Sequence, residues 1–211
     1  MDSSDLHAVV YSKNVVEFVT VANEFCNLNE HIQDFSTIQN LEHLRRILPL
    51  LYLKATLLPE NEKVMDDELE KYVTEFEYNR LQQRWLAALG EHDSFYEVFD
   101  PDIQFGEEIA ISSISENLLD IYQDLKDFIT SYSIGDESIM NDALNDCVQH
   151  FNDFWGQRLV NVLRAIHKLI TDRTEFDNDI PGGNDGDEIQ PGTGNPKWLD
   201  KFWGTGSEEE D

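Results

Sequence analysis

The chain has 211 residues, 40% apolar and 27% charged, and its 43 Asp and Glu against 15 Lys and Arg give a formal net charge of −28. That length holds one domain with a sizeable core plus a tail, and the composition is that of a folded chain rather than a disordered one. So negative a field repels phosphate backbones and anionic lipid, and the densest basic stretch (Arg158, Arg164, Lys168, Arg173) is sparse, so neither nucleic acid nor a membrane surface is expected as a partner.

Helical periodicity dominates, and no alternating strand pattern of useful length competes with it. The start, Met1-Asp2-Ser3-Ser4-Asp5, lacks the basic and then apolar order of a signal peptide. The first helix is predicted from Ser12 to about His31, with Val15, Phe18, Val19, Ala22, Phe25 and Cys26 on one face. A second follows Thr37 toward Leu58, with Pro49 expected to kink it and Pro59 to end it. Its most apolar run, Ile47 to Leu58, contains Lys54 and is too short to span a bilayer, so a soluble, cytoplasmic protein is expected.

A third helix is placed from the acidic Asp66-Asp67-Glu68, suited to the positive end of a helix dipole, to Leu89, with Gly90 as its stop. Residues 90–112 lack periodicity and carry Phe95, Tyr96, Phe99 and Phe105 around Pro101, which reads as a loop packed across the bundle, the alternative being part of a site. Ser113 and Glu116 have the spacing of a capping box and open a fourth helix with Ile114, Leu118, Ile121, Leu125, Phe128 and Tyr132 as its stripe, closed by Gly135. The fifth runs from Asp136 to Thr171. Its apolar positions, Met140, Leu144, Cys147, Phe151, Trp155, Leu159, Val162, Ile166 and Leu169, cover 29 residues in eight steps, the period of a straight α-helix and not of a left-handed coiled coil.

The fold class is therefore all-α, a compact bundle of about five helices over residues 1–173. Residues 174–211 form an acidic tail whose Gly-, Asp- and Pro-rich first part has the composition of a flexible linker. In the tail, Asn195-Pro196 is a good helix start, after which Trp198, Leu199, Phe202 and Trp203 share one face of a single turn, the pattern of a docking peptide. These four are the candidate partner-binding residues, for a foreign protein or for self-association.

Carboxylates and cations are the remaining candidates. Plotted at 100° per residue, Glu116, Asp120, Asp124 and Asp127, and likewise Asp142, Asp146 and Asp153, centre opposite the apolar stripes of their helices, which predicts solvated faces. No Glu-x-x-His occurs, so a dimetal bundle site is not expected, and neither a metal nor another cofactor is assigned. Asp146, His150 and Asp153 could at most hold a surface divalent ion. Lys54, Arg80, Arg84 and Arg158 are candidates for an anion pocket, against the simpler reading that each pairs with one of the surplus acids. Cys26 and Cys147, both at apolar helical positions, read as buried structural thiols.

Five segments resemble an uncharacterised bacterial family, domain of unknown function 5063. They are Tyr11 to Ala22, Leu48-Pro49-Leu50-Leu51-Tyr52-Leu53-Lys54-Ala55, Glu97-Val98-Phe99-Asp100-Pro101, Ile121 to Phe128 and Trp155-Gly156-Gln157-Arg158-Leu159-Val160-Asn161. The resemblance covers about residues 8–170 and implies an all-helical cytoplasmic bacterial protein, with no activity and no functional residues to carry over. The leading expectation is a non-enzymatic interaction or regulatory protein. The alternative is a metal-dependent nucleotide (pyro)phosphohydrolase of the all-α type, using Asp67, Glu70, Asp124 and Asp127.

Overall fold

A computed structural model describes residues 3–96 and 111–176. Within them lie α1 (Ser3–Val10), α2 (Lys13–Glu30), α3 (Thr37–Ala55), α4 (Glu75–Leu89), β1 (Ser94–Tyr96), β2 (Ile111–Ser113), α5 (Ile114–Ser133), α6 (Glu137–His150) and α7 (Gly156–Thr171). The five predicted helices correspond to α2, α3, α4, α5 and the α6–α7 rod, so the all-α class holds. The short α1 was not anticipated. It lies against α6, with its end held by the Tyr132 hydroxyl donating to the Val10 carbonyl at 2.7 Å.

Four helices close a ring: α2 packs on α3, α3 on α7, α7 on α5, and α5 back on α2. Inside it the stripes interlock, with Phe18 against Phe128 and Trp155, and with Leu44, Leu48, Leu125 and Leu159 fully buried. Trp85 brings α4 onto the ring, and its indole N–H donates to the Asn29 side chain at 2.9 Å, so the buried polar edge is satisfied. Local chemistry sets the ends. Ser36 and Gln39 form a full capping box at α3, and Ser113 caps α5 through the Glu116 amide at 3.2 Å. Gly90 and Gly135 take the positive φ that ends α4 and α5.

Three boundaries depart from the sequence reading. Helix α3 continues through Pro49 but ends at Ala55, short of Leu58. Helix α4 begins only at Glu75: residues 59–74, including the acidic run predicted to open a helix, form neither helix nor strand and cross the outside of α5 and α6 as a strap. The aperiodic stretch after Gly90 contains a two-stranded antiparallel ladder pairing Ser94 with Ser113, Phe95 with Ser112 and Tyr96 with Ile111, each strand too short to show alternation in sequence. Phe99, Pro101 and Phe105 lie outside the described residues.

The long final helix is interrupted once. Phe151–Trp155 is a π turn, closed by the Gly156 amide donating to the Phe151 carbonyl. A Cβ on Gly156 would lie 2.4 Å from that carbonyl oxygen, so the glycine admits the approach of its own preceding turn rather than of another element. The turn re-aims the rod, so that α6 faces α1 and α5 while α7 faces α3 and α5.

Candidate functional site

Of the acids that helical projection places on solvated faces, Glu116 and Asp153 are exposed, Asp120, Asp124 and Asp146 are half-buried, and Asp127 and Asp142 are buried. Asp142 and Asp127 are only 1% and 5% exposed, because the strap lies over them. An extended segment without a sheet partner leaves its amides unpaired, and these carboxylates accept them. Asp142 takes Val64 N–H and Met65 N–H, one on each oxygen, both at 2.9 Å. Asp127 takes Tyr72 N–H at 2.8 Å and Val73 N–H at 3.1 Å on one oxygen, with the Lys71 ammonium 3.6 Å from the other. Amide side chains continue the seam: Asn61 donates to Asn141, Asn141 to the Glu62 carbonyl and Asn145 to the Asn61 carbonyl, and Lys63 pairs with Asp146 at 2.6 Å.

Under the strap is a cavity of about 20 Å³, lined among others by Glu70, Lys71, Asp124, Asp127, Asp146 and His150. That is room for a single water. Asp124 and Asp127 each keep one buried oxygen without a hydrogen-bond donor. Burial holds the Asp124 carboxyl above the usual range, against the opposing hydrogen bond from His150 at 2.9 Å. A carboxyl raised in the folded state binds its proton more tightly there than in the unfolded chain. Its burial therefore costs stability at neutral pH, and that cost fades as pH falls through the folded value toward the unfolded value near about 4. Asp124→Asn is accordingly expected to be more stable than the parent at pH 7, with the two urea midpoints converging below about pH 4. A gap that stays constant with pH would contradict this account.

The cations predicted to form an anion pocket are spread over separate acceptors. Lys54 pairs with Glu17 at 2.6 Å, and that hydrogen bond holds the Glu17 carboxyl below the usual range. Arg158 pairs with Asp120 at 2.8 Å beneath the Phe154 ring, and the Tyr78 hydroxyl donates to the same carboxylate. Arg84 donates to the Glu30 carbonyl at 3.3 Å, and Arg80 is exposed. None of the four lines a described cavity. Of the hydrolase set, Glu70, Asp124 and Asp127 share the small cavity while Asp67 is exposed outside it. Of Asp146, His150 and Asp153, the first two line the same small cavity but are held by Lys63 and Asp124, and Asp153 is exposed on the π turn. Among the described residues, no group of three or more His, Cys, Asp or Glu is placed to hold a metal ion.

A second concavity is much larger than the one under the strap, and no single sequence motif points to it. It is a cleft of about 530 Å³ between the two-stranded ladder and the end of α7, walled by Phe95, Tyr96, Ile111, Ile114 and Leu169. Its geometry starts at Asp93, which accepts the Ser113 hydroxyl at 2.5 Å and the Ser115 amide at 2.7 Å, fixing the turn before β1 to the start of α5. Arg164 then donates to the Tyr96 carbonyl at 3.0 Å and holds the ladder to α7. Arg164 and Lys168, the latter paired with Asp172, form the rim, so an apolar floor lies beside the most basic segment of an acidic chain. The aromatic 90–112 stretch and the basic tilt of α7 were both visible in sequence, but nothing local said that they meet. Trp198, Leu199, Phe202 and Trp203 lie outside the described residues.

Comparison with known proteins adds a family and a fold. The model of a family described as a domain of unknown function, DUF5063, matches residues 9–172. The crystal structure of protein BF1032 from Bacteroides fragilis is similar at 42% identity and a TM-score of 0.68, over 76% of this chain and 94% of that one. No curated protein matches. Among the described residues no helix is long and apolar enough to cross a membrane.

Proposed function

Because the chain belongs to the DUF5063 family, which carries no activity to transfer, we propose from the site itself that it is a non-enzymatic interaction protein docking an aromatic, acid-flanked peptide segment in the cleft between the ladder and α7. The supporting observation is the cleft: a preformed apolar concavity of ligand-pocket size, with Arg164 and the Lys168–Asp172 pair at its rim in a chain of net charge −28. Apolar walls supply affinity, and Arg164 and Lys168 select the charge of the flanks. Two free, buried cysteines fit a reducing compartment, so the cytoplasm is the proposed location. The test is affinity capture with the full chain, with Leu169→Glu, and with a chain ending at Arg173. A partner recovered by the parent and lost by Leu169→Glu is expected, and identical partner sets from all three would remove the reading.

A second reading draws on Glu70, Asp124 and Asp127 around one cavity, the metal-dependent nucleotide hydrolase. It is the weaker, because that cavity is the size of a water molecule and its acids already hold strap amides, Lys71 and Lys63. A rise in melting temperature with Mg²⁺ or Mn²⁺ and a nucleotide would revive it.

A further inference from the structure

We infer that the cleft between the ladder and α7 is occupied in cis by the chain's own tail turn, with Trp198, Leu199, Phe202 and Trp203 seated against Phe95, Ile111 and Leu169. This rests on the reading of the cleft as a docking face and adds the identity of its resident segment.

Three observations carry it. The first is where the described chain ends. Phe176 packs edge-on against His92, ring centroids 5.4 Å apart, and His92 is itself part of the cleft wall, so the tail departs from the rim of the cleft. Trp198 follows 22 residues later, and a Gly- and Asp-rich segment of that length has a root-mean-square span of roughly 25 Å. A segment tethered so close to its site has an effective concentration of order mM, so even a weak contact is populated.

The second is chemical match. Helical spacing of the tail sequence puts two indoles, a phenyl and a leucine on one face, with Lys197, Asp200 and Lys201 on the other. The cleft offers aromatic and aliphatic walls and about 530 Å³, a volume suited to a few large side chains. The third is charge. Residues 174–211 carry eleven acids against Lys197 and Lys201, with Glu208-Glu209-Glu210-Asp211 shortly after the turn. Most of the described surface repels such a tail. Arg164, Lys168 and Arg173 outnumber Asp172, which pairs with Lys168, so the end of α7 keeps the net positive charge that attracts it.

The full chain has four tryptophans, which makes the test direct. Trp85 on α4 and Trp155 inside the ring are fully buried and report the fold, whereas Trp198 and Trp203 report the tail. The chain labelled with 5-fluorotryptophan is compared by fluorine NMR with a synthetic peptide of residues 195–204, signals being assigned by Trp→Phe variants. Trp198 and Trp203 are expected away from their free-peptide positions. They should return to them in Ile111→Glu, at a side chain 69% exposed and so remote from the core, and shift partway in Lys168→Glu, while Trp85 and Trp155 stay put. Free-peptide positions in the parent, or tail signals indifferent to both variants, would overturn the inference. Tail shifts that grow with protein concentration would overturn the cis assignment in favour of a second copy. Any of these leaves the docking reading to be judged separately by the capture experiment.

Discussion

Asp142→Ala is expected to lower the stability of the fold by about 3 kcal/mol, measured by equilibrium urea unfolding, because two amides would lose a charged acceptor at once. Asp142 is buried, and its oxygens take the Val64 and Met65 amides at 2.9 Å each while a third donor, the Asn141 side chain, also reaches it at 2.9 Å. Hydrogen bonds to an ionised group are worth about 1.5–3 kcal/mol each, and a buried amide left alone costs more than a bond never made. Asp142→Asn sharpens the point. The shape is kept, but the new NH₂ group must face an amide donor, so it should recover only about half of the loss. Full recovery by asparagine would mean that the strap is held by its apolar residues, Leu69 and Val73, which pack against the core.

Gly156→Ala is expected to cost about 2–3 kcal/mol, the upper part of the range for forcing volume into a well-packed region. Alanine ordinarily stabilises a helix relative to glycine, by about 1 kcal/mol at interior positions, so the predicted sign is opposite to propensity. The reason is the π turn: the added carbon would meet the Phe151 carbonyl oxygen at 2.4 Å and the Phe151 ring at 3.0 Å. Phe151 packs against Trp155 and Tyr52, so its ring cannot move without opening the contact between α3 and the rod. A stability equal to or above the parent in urea unfolding would show that the turn relaxes to a regular α-helix at no cost.

The two substitutions bracket what the sequence could reveal. Helices α2, α3 and α5 were readable because each buries one stripe at 3.6-residue spacing, with caps such as Ser113 at the expected place. The strap was misread because Asp66, Asp67 and Glu68 have the chemistry of a helix start, yet the helix is nucleated eight residues on at Thr74, whose hydroxyl accepts the Glu77 amide. The same error turned Asp127 and Asp142 into solvent-facing residues. Projection on a wheel knows only the helix's own core, not a segment that later lies across its back. The π turn did leave a trace: Cys147, Phe151, Trp155 and Leu159 follow one another at three successive steps of four, one residue more than α periodicity supplies. The cleft left none, since its walls come from segments about 50 residues apart that no local pattern connects.

The strap also divides the two thiols into different environments. Cys26 sits on α2 inside the ring, whereas Cys147 lines the small cavity under the strap, and burial pushes both thiols above their ordinary range, so neither reacts while covered. Opening of residues 59–74 is expected to bare the second sulfur, which lines the cavity beneath them, before the first, which needs the helices themselves to separate. Alkylation at Cys147 is therefore expected to keep time for a local breath of the strap, and at Cys26 for the collapse of the whole.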